Sequence, residues 1–142
     1  ARVFRRYQID RIDGLPPEQV SPPPEVLERI ARENAELKAA RAADTPEALF
    51  RPGFVWPVTG RLSGLYGDQR ILNGQPRAPH LGIDIAAPGG TDVVAAAAGR
   101  VTLASPDQVL NGGIITLDHG HGVSTAYAHL SELDVKVGET VA

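Results

Sequence analysis

The chain has 142 residues, 42% apolar and 22% charged, with a formal net charge of −3 and no cysteine. That length and apolar content suit one globular domain with a sizeable core plus an appendage, and they exclude a disordered chain. The charge balance excludes steering toward nucleic acid: Arg2, Arg5, Arg6 and Arg11 are scattered among apolar residues, and no basic cluster is interleaved with aromatics. The absence of cysteine removes disulfides and thiolate ligands and is compatible with a periplasmic location. The longest unbroken apolar run, Val93 to Ala98, is far short of the ~20 residues that span a bilayer. With no initiating Met and no signal peptide, the numbered chain reads as beginning inside a larger precursor.

In chain order, Val3 to Ile12 predicts a strand, with Tyr7 and Ile9 on one face and Phe4, Arg6 and Gln8 on the other. Asp13-Gly14-Leu15-Pro16-Pro17 ends it. Ser21, the prolines after it and Glu25 open a helix expected from Pro24 to about Ala43. Val26, Ile30 and Leu37, flanked by Leu27 and Ala31, form a narrow apolar stripe. Arg29 with Glu33 and Arg32 with Glu36, at i,i+4 spacing, predict a solvated opposite face. The helix reads as a linker packed on a neighbouring domain, with a partner-binding helix as the alternative. A strand and a helix cannot bury a core alone. Residues 1–20 are therefore the expected tail of an upstream domain, 21–53 a helix and linker, and 54–142 the main folded domain.

Phe54-Val55-Trp56-Pro57-Val58 predicts the entry strand of that domain, with Trp56 anchored on the core or flanking a groove. A polar loop, Gly67 to Arg77, leads to Pro79-His80-Leu81-Gly82-Ile83-Asp84. Read as a strand, this segment places His80, Gly82 and Asp84 on one face and Leu81, Ile83 and Ile85 on a core-facing other. A nitrogen and an oxygen donor separated by glycine suit zinc; the bland alternative is a surface histidine beside a solvated aspartate. A turn at Pro88-Gly89-Gly90 and a buried strand through Val93 to Ala98 are expected next. Val101 and Leu103 then alternate with Arg100 and Thr102, and Ile115 and Leu117 with Ile114, Thr116 and Asp118. His119-Gly120-His121 reads as the polar tip of a hairpin, and Leu133, Val135 and Val137 as a last strand-like alternation. Short strands with Gly/Pro punctuation argue an all-β domain. The expected fold is mainly β, an antiparallel sandwich or barrel-like domain preceded by a strand and one long helix.

From about Phe54 onward the chain resembles the M23 family of zinc metallopeptidases, the lysostaphin-like (LytM-type) enzymes that cut peptide bonds in bacterial peptidoglycan. The segments that carry the resemblance are H-x-G-x-D at His80 to Asp84, the P-G-G-T after it, and Y-A-H-L at Tyr127 to Leu130. The resemblance implies Zn2+ as cofactor, His80 and Asp84 as two of its ligands, and His129 as the catalytic histidine that orients or deprotonates the nucleophile or donates to the oxyanion. It implies peptidoglycan peptide stems or crosslinks as substrate, a periplasmic or cell-envelope location, no membrane span, and other cell-wall enzymes as partners. The bland alternative for His129 is a core-edge histidine held by a backbone carbonyl. The family's third ligand comes from an H-x-H motif that would lie beyond Ala142, so the chain reads as a C-terminally incomplete domain, inactive by itself. The family tyrosine thought to steady the oxyanion is absent between Tyr66 and His80; Arg77 or Arg70 are its candidate substitutes or plain surface charges. Two readings stand beside the enzyme: a non-catalytic module that binds peptidoglycan or activates another hydrolase, and a β-sandwich scaffold with no metal role.

Overall fold

The computed structural model describes residues 7–142; the Val3 to Arg6 part of the expected first strand lies outside the described residues. The chain divides into two compact units, one built from the segment up to Pro23 with Thr59–Pro88, the other from Pro24–Val58 with Gly89–Ala142. The fold is mainly β, as the alternation and turn signals predict, with one long helix.

In the first unit, β1 (Ile9–Ile12) lies parallel to β3 (Gln69–Leu72), and β3 pairs antiparallel with β4 (Gln75–Pro76). The short helix α1 (Pro17–Val20) follows β1, and β2 (Arg61–Gly64) pairs antiparallel with β5 (Asp84–Ala86). The expected polar loop between Gly67 and Arg77 is in fact a hairpin. Its turn, Asn73-Gly74, has φ of 48° and 76°, the left-handed pair that Asn-Gly supplies in a tight turn of this kind. Asn73 also exchanges two hydrogen bonds with Leu15: its Oδ1 accepts from the Leu15 amide at 3.0 Å and its Nδ2 donates to the Leu15 carbonyl at 2.9 Å. Val20 is the buried apolar side chain among the unit's described residues, so backbone pairing and polar ties carry most of its order. Arg77 donates to the Val20 carbonyl, which makes it an anchor for α1, whereas Arg70 is exposed.

The expected strand over His80 to Asp84 forms only from Asp84 onward. Leu81 and Ile83 are 74% and 46% exposed instead of core-facing. A strand needs a partner, and β5 acquires one only where Asp84 meets Gly64. Before that point the backbone bonds to a loop: the Gly67 amide donates to the His80 carbonyl at 2.6 Å and the His80 amide to the Asp68 carbonyl at 2.7 Å. Gly67 makes this approach possible. Its φ is 88°, and a β-carbon there would overlap the Tyr7 ring.

In the second unit, α2 (Pro24–Arg41) precedes an antiparallel sheet of order β8-β7-β6-β9, made of β6 (Gly99–Gln108), β7 (Gly112–Gly120), β8 (Val123–Leu130) and β9 (Thr140–Val141). β7 is one of the two inner strands and is buried along nearly its whole length. Val101, Ile114 and Leu117, each at most 2% exposed, form the core with Ala96 and Ala97. Val26, Ile30 and Leu37 are half-buried, as the stripe predicts, and α2 packs on β6 and β7.

Arg29 and Glu33 are not on a solvated face as expected; they belong to the docked stripe. Arg29 Nε bonds Glu33 Oε1 at 2.8 Å, Arg29 Nη2 donates to the Asp107 carbonyl, and the Val109 amide donates to Glu33 Oε2 at 2.9 Å. Burial pushes the Glu33 carboxyl up, but the Val109 amide and the Arg29 guanidinium outweigh it and hold the group below the ordinary glutamate range. An ion pair at i,i+4 spacing therefore marks a docking face here, because the end of β6 and the turn after it supply the remaining acceptor and donor.

Three further expectations fail for one reason, that irregular backbone found partners outside a ladder. Phe54 to Val58 is not a strand, and Trp56 is 66% exposed. The segment instead exchanges single bonds with the Ala-rich run, Val55 amide to Ala96 carbonyl at 2.7 Å and Val94 amide to Pro57 carbonyl at 2.9 Å. Pro57 has no amide with which to continue the pairing. The Val93 to Ala98 stretch is correspondingly irregular, with Val94 55% exposed. Leu133 to Val137 is also outside any strand; the chain returns to the sheet through the Gly138 amide, which donates to the Val101 carbonyl, and the Glu139 carbonyl, which accepts from the Val101 amide.

Candidate metal centre

His80 and Asp84 are brought together within the first unit. His80 Nε2 stands 3.4 Å from Asp84 Oδ1, with the two side chains 33% and 50% exposed. That separation is long for a charge-assisted hydrogen bond, which runs about 2.7–2.9 Å. It matches two ligands of one tetrahedral zinc ion, since donors about 2.0–2.2 Å from the metal lie roughly 3.4 Å apart at the tetrahedral angle. The other ring nitrogen supports the same reading. His80 Nδ1 is 3.1 Å from the Leu65 carbonyl, an acceptor only, so Nδ1 carries the proton and the Nε2 lone pair is left to bind a cation. A ligating histidine is held this way by its outer partners. Imidazole nitrogen and carboxylate oxygen are the donor types zinc accepts, and the pair fits the ion. Among the described residues no group of three or more His, Cys, Asp or Glu side chains forms a metal cluster, so the centre seen here is a two-donor set.

Backbone placement makes room for it. Gly64 pairs with Asp84 across the β2–β5 ladder, and a β-carbon at residue 64 would overlap Asp84 Oδ2. The same β-carbon would lie 2.9 Å from Asp84 Cγ and 3.2 Å from its Cβ, so Gly64→Ala is expected to turn the carboxylate away and shift the β2–β5 ladder slightly without unfolding the unit. Zinc affinity should fall by about 10- to 100-fold, the range for disturbing the surroundings of a ligand. Competition with a chromophoric chelator measures it, and an unchanged affinity would show that this contact does not hold Asp84.

His129 belongs to the second unit. The expected alternation that put it on one strand face with Val123, Thr125 and Tyr127 is interrupted by a bulge. Gly113 pairs with Leu130 but Ile115 with Tyr127, so Ala128 and His129 together oppose Ile114. His129 has φ 61° and is exposed, while Thr125 and Tyr127 are half-buried. Its amide donates to the Asn111 carbonyl at 2.7 Å. The bulge thus turns the imidazole out of the register its neighbours follow.

His119 is the polar residue that sequence reasoning missed. It is not part of a hairpin tip but the end of β7, fully buried at 0% exposure. Nδ1 bonds the Ala98 carbonyl and Nε2 bonds Thr125 Oγ1, both at 2.7 Å. Thr125 Oγ1 donates to Tyr127 Oη at 2.8 Å, which also accepts from the Ala96 amide at 2.9 Å. Phe54 meets the imidazole edge-on at 5.5 Å between ring centroids. The signal was present: period-two counting from Ile115 and Leu117 puts His119 on their face. The neighbouring glycines drew it toward a turn, which begins only at His121. There the side chain is exposed and Nε2 donates to the Pro46 carbonyl at 2.7 Å.

Comparison with known proteins adds a family match. Residues 78–142 match the model of Peptidase family M23. The chain is similar to a cell division protein, DipM, of Caulobacter vibrioides, 33% identical over 70% of this chain and 16% of the relative. It is also similar to an uncharacterized metalloprotease of Haemophilus influenzae, 35% identical over 65% of this chain and 16% of the relative. A crystal structure described as a candidate peptidase M23 from Pseudomonas aeruginosa aligns with 40% identity and a TM-score of 0.70, over 83% of this chain and 46% of that one. The chain thus spans about a sixth of the length of these two relatives.

Proposed function

We propose, for a chain that belongs to peptidase family M23 through residues 78–142, zinc-dependent hydrolysis of peptide bonds in bacterial peptidoglycan as the activity of the full-length protein. The observation that carries this reading is the His80–Asp84 pair, 3.4 Å between donors with the far ring nitrogen on a carbonyl. His80 through Nε2 and Asp84 through Oδ1 are the proposed protein ligands. A zinc ion there supplies Lewis acidity toward a scissile carbonyl and makes water a usable nucleophile near neutral pH. The Leu65 carbonyl keeps the proton on His80 Nδ1, so the ligand nitrogen is not blocked. His129 is proposed to hold or move a proton during bond cleavage, a role that an exposed imidazole on a bulge suits. The segment from Phe54 to Ala142 is the proposed peptidase-like portion, and the cell envelope, where peptidoglycan lies, is the proposed location. Among the described residues no helix is long and apolar enough to cross a membrane.

The test is zinc content and digestion of purified peptidoglycan by the full-length protein and its His80→Ala variant. Wild type is expected to hold one zinc and release peptides; the variant is expected to lose both. A zinc-free, inactive wild type overturns the enzyme. It would favour the second reading, a non-catalytic cell-wall module, which draws on a relative named for cell division and not for proteolysis.

A further inference from the structure

We propose that Asp68 is a positioning residue for His80, acting through the Leu65–Asp68 turn. The inference rests on the reading of His80 as a metal ligand. Three polar groups of His80 are held by this one turn. Its amide donates to the Asp68 carbonyl at 2.7 Å, its carbonyl accepts from the Gly67 amide at 2.6 Å, and its ring Nδ1 bonds the Leu65 carbonyl at 3.1 Å. The direction of the imidazole is therefore set by where the Leu65 peptide points.

Asp68 holds the peptide groups on both sides of the Leu65 Cα. Its carboxylate Oδ2 accepts from the Leu65 amide at 3.0 Å, and its own amide donates to the Leu65 carbonyl at 3.2 Å. The second carboxylate oxygen, Oδ1, accepts from the Gln8 amide at 3.3 Å, while the Gln8 carbonyl accepts from the Gln69 amide at 3.0 Å. The turn is thereby fastened to the strand that runs into β1. The Leu65 side chain is 49% exposed, so packing does not hold this residue, and its backbone bonds do. Without the carboxylate, the Leu65 amide loses this acceptor, and the carbonyl that selects the ring tautomer is held on its turn side by the Asp68 amide alone. Among the described residues no other side chain accepts from that amide.

Two properties of the full-length protein test the proposal, the tautomer of the zinc-free His80 ring by 15N NMR, at a pH well above the ordinary histidine range, and the affinity for Zn2+ by chelator competition. Wild type is expected to show the Nδ1–H form alone. Asp68→Ala is expected to show both tautomers and to bind Zn2+ about tenfold more weakly, the low end for loss of an outer partner of a ligand. Asp68→Asn keeps one oxygen for the Leu65 amide and is expected to fall between, about threefold weaker with the Nδ1–H form dominant. An Asp68→Ala protein with the wild-type tautomer and zinc affinity within twofold overturns the proposal. Should that variant fail to fold, Asp68→Asn decides: wild-type affinity together with an unchanged tautomer overturns it too. A wild type that binds no zinc sinks the metal reading instead, and the tautomer comparison still decides the role of Asp68.

Discussion

Replacing His119 by alanine is expected to destabilise the second unit by about 3–5 kcal/mol, against the roughly 5–15 kcal/mol that holds a domain folded. Two losses combine. Removing a fully buried ring leaves a cavity, and large-to-small changes in cores cost about 2–5 kcal/mol. The substitution also strands the Ala98 carbonyl and Thr125 Oγ1, each buried group left without a partner costing about 1–3 kcal/mol; the sum is not additive, since the site relaxes. The ring does more than fill space. It ties the end of β7 to the irregular Ala96–Ala98 segment and, through Thr125 and Tyr127, to β8. His119→Gln, which retains a donor and an acceptor, is expected to recover part of the loss. His121→Ala, two residues away but exposed, should cost at most about 1 kcal/mol, the value of one surface hydrogen bond. Denaturant unfolding followed on β7 and β8 amide resonances measures all three. A His119→Ala loss under 1 kcal/mol would show that the network is incidental.

The two histidines of His119-Gly120-His121 also show where the sequence was legible and where it was not. Elements whose signal is local were readable. The start of α2 within one residue, its apolar stripe and the alternation of β6 follow from prolines, caps and periodicity. The His80–Asp84 pairing was readable too, although the strand expected to create it is absent. An i,i+4 spacing around a bend at Gly82 brought the side chains together as well as a pleat would have. What failed depended on partners far along the chain. Whether Phe54–Val58 and Val93–Ala98 become strands is decided by which amides face which carbonyls, and Pro57 and the bends at Ala96–Ala98 leave only single bonds between them. The parallel pairing of β1 with β3 belongs to the same class: nothing in Ile9–Ile12 names Gln69–Leu72 as its neighbour. The bulge at Ala128–His129 is likewise invisible to a period-two count, because it is fixed by the register of β7 opposite. The Asn73-Gly74 turn is different. Its signal was explicit, and a hairpin was there to be read.

Replacing His129 by glycine is expected to reduce peptidoglycan hydrolysis by the full-length protein about 10²–10⁴-fold, the usual contribution of a positioned acid–base group, while leaving bound zinc and stability undiminished. The stability half of that expectation comes from the backbone. At φ 61°, an L-residue with a β-carbon is in the left-handed region, which costs roughly 1–2 kcal/mol. Glycine adopts it freely but gives back about 0.5–1 kcal/mol as lost chain entropy on folding. The imidazole is exposed, so its removal sacrifices little packing, and the bond from the residue 129 amide to the Asn111 carbonyl survives the change. The net is a stability equal to wild type or higher by up to about 1.5 kcal/mol. His129→Ala separates the two halves: it keeps the strained backbone and is expected to lose the same activity with no gain in stability. Under the proposed acid–base role, the left-handed backbone at His129 is strain kept for function. If glycine leaves turnover intact, the acid–base role falls. If it lowers stability by more than 1 kcal/mol, the side chain is held by packing, and the bulge exists for the sheet and not for the chemistry.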